Sequence, residues 1–135
     1  DAPQLTQSLE VQAMQSTLAI GGQANAIDSS LAAASTNPAI EEHTRRTVNV
    51  RLSQIIADGN FARDTINAFG GQKYTDTRGM DADLLAVVNS AISMQSFVAT
   101  ASISDLRGMI RSLTSLNSTL RNTAQILSKY TGTRS

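Results

Sequence analysis

The residues best suited to acid–base or metal chemistry in this chain are few. Its one histidine, His43, follows Glu41 and Glu42 and precedes Arg45 and Arg46. A single imidazole excludes a site with several histidine ligands, and a catalytic imidazole needs a nucleophile or an orienting partner beside it. We therefore interpret His43 as an exposed helix residue.

The other motifs that often carry chemistry are incomplete. The chain has no cysteine, which excludes disulfides, thiolate zinc ligands and cysteine nucleophiles. The carboxylates of Asp76, Asp81 and Asp83 lack the glycine and the terminal glutamate of an EF-hand loop, so helix capping explains Asp81 and Asp83 better. The pairs Gly21–Gly22 and Gly70–Gly71 lack the flanking pattern of a phosphate-binding loop. The sequence predicts no metal, no cofactor and no enzymatic activity.

Charge is balanced overall but unevenly placed. The 135 residues contain eleven Lys and Arg and eleven Asp and Glu. Residues 1–44 contain five acidic residues and no Lys or Arg, whereas residues 106–135 contain five basic residues and no acid. Such opposed ends could pair within one molecule or head-to-tail between subunits, which generates a filament when the contact does not close. The alternative is a solvated basic face with favourable charge near a helix C-terminus.

A few side chains are candidates for protein interaction. Basic residues near one helical face lack the interleaved aromatics of a nucleic-acid site, so we expect no nucleic-acid partner. A polar residue on a helical seam can fix register and oligomeric state, although it could also be a partly exposed residue at a bundle end. The candidate interaction residues are Arg107, Arg111, Arg121, Asn117, Glu41 and Glu42.

Apolar residues recur at helical spacing in three long segments, which must position these side chains. The first predicted helix covers about 4–34, and the glycine pair Gly21–Gly22 predicts a bend or break within it. Asn37 predicts an N-terminal cap with Pro38 in the first helical position. The second predicted helix covers 38–69, with a seam that keeps its phase across Gly59, where we expect close helix approach. That seam consists of Val48, Leu52, Ile55, Gly59, Ala62, Ile66 and Phe69.

The last part of the chain carries the longest periodic pattern. Residues 72–79 are polar and lack an apolar period, so they predict a loop. Asp81 then predicts the cap of a third helix over about 81–130, unless a cap at Ser102 or Ser104 interrupts it. Its predicted seam consists of Leu85, Ile92, Ala99, Ile103, Leu106, Ile110, Leu113, Asn117, Leu120, Ala124 and Leu127.

The predicted fold is all-α, an elongated bundle of three helices, or four if the third segment breaks, in a single domain over 1–135. Its longest dense apolar run, residues 84–88, is far shorter than the ~20 residues of a membrane-spanning helix. The chain is rich in Ala, Ser, Thr, Gln and Asn and poor in aromatic residues. In this composition it resembles helical subunits of exported appendages, secretion systems and some virions, a likeness that carries over no individual residue.

Two functions remain open at this point. The first is a structural or interaction subunit of an exported or viral assembly that associates with its own copies through helix packing, because a weak apolar helix face often completes its burial against another subunit. The second is a monomeric exported accessory protein that contacts a partner through residues 72–79 and the adjacent helix ends. Export is the expected localisation, since the chain begins at Asp1 without an initiator Met and contains no cysteine.

Overall fold

The computed structural model describes residues 2–70 and 77–116, with side chains at 15–65, 67 and 81–116, and all regular secondary structure in these residues is helical. Four α-helices are packed together. They are α1 (Ala2–Thr36), α2 (Glu41–Gly70), α3 (Thr77–Gln95) and α4 (Ile103–Ser115), and a short 3-10 turn (Pro38–Ile40) precedes α2. The predicted all-α fold class is confirmed.

The sequence predicts a bend or a break at Gly21–Gly22. The first helix runs without interruption through this pair, which rules out the break. Each glycine costs about 1 kcal/mol relative to alanine in a helix interior. Ile20 and Ala24 lie on either side of the pair and are buried. Their burial against the neighbouring helices holds the backbone helical where local propensity is weak.

The junction between α1 and α2 is built from local hydrogen bonds. At the end of α1, Ser35 Oγ donates to the carbonyl of Ala32 at 2.6 Å. Asn37 is extended, and its Oδ1 accepts from the amide of Ala39 at 3.2 Å. Pro38 occupies the first turn, where it has no amide proton to leave unpaired. The predicted cap at Asn37 is confirmed.

Cross-helix bonds show that α2 runs antiparallel to both of its neighbours. Arg51 near the middle of α2 donates to Gln23 of α1, and both residues lie fourteen positions from Asn37 in the connecting turn, as an antiparallel pair requires. Toward α3, Arg63 bonds Asp81 near the start of that helix, whereas Ser53, earlier in α2, bonds Gln95 at its end. The fourth helix packs against α1 and α3. The described part of the chain contains no helix long and apolar enough to cross a membrane.

One apolar core lies between the four helices. Each helix contributes a stripe spaced by three or four residues, as an amphipathic helix requires. The core residues are Ile20, Ala24, Ile27, Leu31, Ala34, Val48, Leu52, Ile55, Ala62, Leu84, Val87, Ala91, Met94, Val98, Ile103, Leu106, Ile110 and Leu113.

The predicted seam of α2 is confirmed wherever its side chains are described. Val48, Leu52, Ile55 and Ala62 are fully buried. At Gly59 an added Cβ would overlap Cγ2 of Val88 on α3. The missing side chain therefore allows α2 and α3 to approach closely at this level. The side chains of Ile66 and Phe69 lie outside the described set.

The single helix predicted over 81–130 is wrong within the described range. Helix α3 ends at Gln95, residues 96–102 form a turn, and α4 begins at Ile103. Ser102 caps α4, because its Oγ accepts from the amide of Asp105 at 3.0 Å, so the predicted alternative of a break at Ser102 is confirmed. Residues 117–130 lie outside the described residues.

The start of α3 also differs from the prediction. It begins at Thr77, so residues 77–79 of the predicted loop are helical, and residues 72–76 lie outside the described ranges. Asp81 is therefore inside the helix and is not its cap. Its Oδ1 accepts instead from Nε of Arg63 at 2.9 Å and from Nδ2 of Asn67 at 3.1 Å. This carboxylate ties α3 to α2.

The core face of α3 is shifted relative to the predicted seam. Leu85, Ile92 and Ala99 are exposed. Their neighbours one position earlier, Leu84 and Ala91, are buried. The predicted seam was extended backward from α4, and the turn over 96–102 gives the two helices independent phases.

Candidate interaction surface

The two predicted acidic interaction residues pair within their own helix. Glu41 Oε1 accepts from Nη2 of Arg45 at 3.2 Å, and Glu42 Oε1 accepts from Nη1 of Arg46 at 3.1 Å. Both pairs join residues four positions apart. The Glu42–Arg46 pair is exposed, and an exposed pair of this kind contributes little to stability. The acidic end of the sequence is thus partly neutralised by the next turn of α2.

Two of the three predicted basic residues, Arg107 and Arg111, occupy α4. Arg111 is exposed, and Arg107 is half-buried with an Nε that has no hydrogen-bond partner among the described residues. Among the described residues, no ion pair joins α2 to α4. The structure therefore does not bring Glu41 or Glu42 to these arginines. The other predicted residues, Asn117 and Arg121, lie outside the described residues.

Arg45 connects α2 to the turn between α3 and α4. Its Nη1 donates to the carbonyl of Val98 at 2.7 Å and to that of Ala101 at 2.6 Å. Val98 and Ala101 lie in the turn, outside both helices, where a carbonyl has no helical hydrogen-bond ladder to supply its donor. The guanidinium of Arg45, from another helix, donates to both carbonyls of the turn. Its Nη2 also donates to the carboxylate of Glu41.

Two open grooves flank α2. The first, of about 270 Å³, lies between α2 and the end of α3 and is lined by Arg45, Arg46, Asn49, Gln95, Val98 and Ala99. Several of its donors are already used within the protein, since Gln95 Nε2 bonds Ser53 Oγ at 2.7 Å and the Asn49 carbonyl at 3.2 Å. The second, of about 280 Å³, lies between α1 and α2 and is lined by Gln23, Thr47, Val50, Arg51 and Gln54.

Large apolar side chains are exposed on several helices. Scattered single examples are normal on soluble proteins, so their arrangement decides whether they form a surface. The most exposed is Val50, at 67%, and Ile92 on α3 is 50% exposed. The remaining ones are Leu18, Phe61, Leu85 and Phe97.

On α2 the exposed apolar residues share one face. Positions 50, 57 and 61 are separated by seven and four residues, which places them on the same side of a helix. We define the α2 outer face as Arg46, Val50, Ser53, Ala57, Phe61 and Asp64, all of which are exposed. It faces away from the core stripe that contains Leu52 and Ile55.

Sequence reasoning missed this face. Val50 and Phe61 fall outside the buried stripe of α2, and their spacing was the signal that could have identified a second stripe. The heptad spacing predicts Ile92 in a buried seam, and the structure exposes this side chain instead.

One carboxyl group beside this region has a perturbed pKa. Partial burial raises the pKa of Asp58 above its ordinary value, and a side-chain hydrogen bond with Gln54 opposes that rise. Within the described residues, no three Asp, Glu, His or Cys side chains are grouped so as to hold a metal ion.

Comparison of the chain with family models, with curated proteins and with solved structures gives no match. In its described residues the structure contains packed helices, apolar residues on the outer face of one helix, and hydrogen bonds from Arg45 that hold the turn between α3 and α4.

Proposed function

We propose that this chain is a non-enzymatic structural or interaction subunit that associates with copies of itself through helix packing. The exposed apolar row on the α2 outer face supports this proposal most directly. Val50 is 67% exposed there, although the same helix already buries a complete stripe in the core. A second apolar stripe on one helix is typical of a helix that packs on two sides.

The energetic argument concerns water at those side chains. Removing apolar surface from water stabilises a contact by roughly 25 cal/mol per Å². Val50, Phe61 and Ile92 are exposed in the single molecule, so their exposed surface contributes no such stabilisation there. Covering them with another helix would supply it.

The setting we propose is an exported or viral multi-protein assembly, such as a secretion apparatus, an appendage or a virion. This part rests on composition, since small and neutral polar side chains dominate and cysteine is absent. The outer helix faces follow the same composition, with Ser53 and Ala57 at the centre of the α2 outer face.

Light scattering after size exclusion, over a hundredfold range of protein concentration, tests the proposal. We expect a mass above the 14.3 kDa of one chain that rises with concentration. Negative-stain imaging of the same fractions then shows whether the species are rods, rings or shells. A mass of one chain at every concentration would contradict self-association and favour the monomeric accessory protein, to be tested next by pull-down around residues 72–79.

A further inference from the structure

We propose that the α2 outer face is the self-association interface, and that a second copy of this chain packs on it with its own α2 antiparallel. This inference rests on the proposed self-association and specifies its surface and geometry. The occupant is a second copy because the face is complementary to itself when turned end for end.

The order of residues along the face carries the argument. Its centre holds two small side chains. Ser53 accepts a hydrogen bond from Gln95 of α3 at its Oγ, and Ala57 permits close approach of another backbone. Larger apolar side chains, Val50 and Phe61, lie outside them, one toward each end. The ends are a basic residue, Arg46, and an acidic residue, Asp64.

We place a twofold axis perpendicular to α2, midway between Ser53 and Ala57. It brings the residues of this face opposite complementary residues of the partner. Arg46 then faces the partner's Asp64, and the same pair forms again at the other end. Val50 lies beside the partner's Phe61, and Ser53 faces the partner's Ala57. An interface of this kind uses the same patch on both subunits, as a closed dimer requires.

A parallel arrangement of the same faces is disfavoured by charge. It would place Arg46 against the partner's Arg46 and Asp64 against the partner's Asp64. Like charges placed opposite each other oppose association. The antiparallel arrangement converts both repulsions into attractions.

Both terminal charges are available for such contacts. Asp64 is exposed and forms no ion pair among the described residues. Within the described part of the chain Arg46 is paired only with Glu42, and their side chains are 66% and 88% exposed. A guanidinium has several donors, so Arg46 can bind a second carboxylate without releasing the first.

Disulfide trapping tests the geometry directly, because the chain has no native cysteine. Positions 46 and 64 are separated by about 27 Å along α2 at 1.5 Å per residue. In the antiparallel dimer, Arg46→Cys and Asp64→Cys therefore meet only when the two variants are mixed. The mixed dimer also keeps one native Arg46–Asp64 contact at its other end. We expect cross-linking in the mixture and none in either variant alone, whose cysteines would be too far apart to bridge.

Charge reversal supplies the second arm. Arg46→Glu alone should weaken self-association about tenfold, since two attractions become repulsions, and Arg46→Glu combined with Asp64→Arg should restore it. Arg111→Glu, which reverses an exposed charge on α4, is the matched control and should leave association unchanged. Circular dichroism checks that each variant is folded.

The outcomes separate the interface from the function. Three results would each overturn the α2 interface while the wild type still self-associates. They are unchanged association of Arg46→Glu, loss of association in Arg111→Glu, and no cross-link in the mixture of the two cysteine variants. Cross-linking in each single variant alone would overturn the antiparallel arrangement. A wild-type mass of one chain at all concentrations would refute self-association and, with it, this interface.

Discussion

Three helical glycines show how much depends on what surrounds a missing Cβ. Gly22 and Gly108 are exposed, and an added Cβ would meet nothing within 4 Å at either position. At Gly59 the same atom would overlap Val88. The same residue type in a helix therefore leaves open space at Gly22 and Gly108 and is sterically required at Gly59.

We expect Gly22→Ala and Gly108→Ala each to raise the free energy of unfolding by about 0.5–1 kcal/mol, because alanine loses less backbone entropy in a helix. Gly59→Ala should lower it instead, since overpacking costs about 1–3 kcal/mol and exceeds the gain in propensity. Urea denaturation measures all three.

Val88→Ala is the control for the steric explanation. It creates space for the added methyl group, so Gly59→Ala should be less harmful in the Val88→Ala background than in the wild type. Equal losses in both backgrounds would contradict close approach as the reason for Gly59.

Asp58 makes stability depend on pH. Its raised pKa means that the folded protein binds this proton more tightly than the unfolded chain does. Its contribution to stability therefore falls as pH rises from the ordinary value of 3.8 through the raised folded value. We expect Asp58→Asn to increase the free energy of unfolding at pH 7, with a smaller difference below about pH 3, where both states are protonated.

Thermal unfolding as a function of pH measures this effect. Asp64→Asn, which alters an exposed carboxylate on the same helix, is compared at low protein concentration, where it should not produce the same pH-dependent gain. A pH-independent difference between wild type and Asp58→Asn would show that burial of the charge is not its cause.

At the level of elements, the turn between α3 and α4 depends on a distant helix. The local sequence provides a start for α4 at Ser102, yet the carbonyls of Val98 and Ala101 are bound by Arg45 from α2. The geometry of the turn is therefore set by residues more than fifty positions apart in the chain.

We expect Arg45→Met to lower the free energy of unfolding by about 1–3 kcal/mol, because it leaves two carbonyls of the turn without their donor. Hydrogen exchange should accelerate at the amides of 96–102 and at the first turn of α4. Thermal denaturation gives the global effect.

Two variants isolate the role of those two bonds. Glu41→Gln removes the ion pair and keeps the bonds from Arg45 to the turn, so it should cost much less. Arg111→Met removes an exposed arginine from α4 and should change stability by less than about 0.5 kcal/mol. An Arg45→Met protein with unchanged exchange over 96–102 would contradict the role assigned to Arg45.

For the whole molecule, the proposed self-association links stability to concentration. A partner that binds only the folded chain stabilises it by mass action. We expect the Tm of the wild type to rise with protein concentration and that of Arg46→Glu to rise less over the same range. Differential scanning calorimetry at several concentrations measures both, and a concentration-independent wild-type Tm would contradict self-association.

The sequence by itself determined the features that depend on neighbouring residues. The helical spacing of Val48, Leu52 and Ile55 fixed the buried side of α2, and Asn37 followed by Pro38 fixed the α1–α2 junction. Both can be predicted from residue types within a few positions of one another, so propensity and periodicity are sufficient. The all-α class follows from the same local preferences.

Tertiary structure alone decided where local preferences were weak or ambiguous. Helix α1 continues through Gly21–Gly22 because the flanking core residues are buried, and Asp81 binds Arg63 of α2 rather than capping α3. The turn at 96–102 is bound by Arg45, and it shifts the buried face of α3 from Leu85 to Leu84. These outcomes depend on partners that are distant in sequence. The local spacing of residues does not specify which distant side chain will contact them in the folded protein.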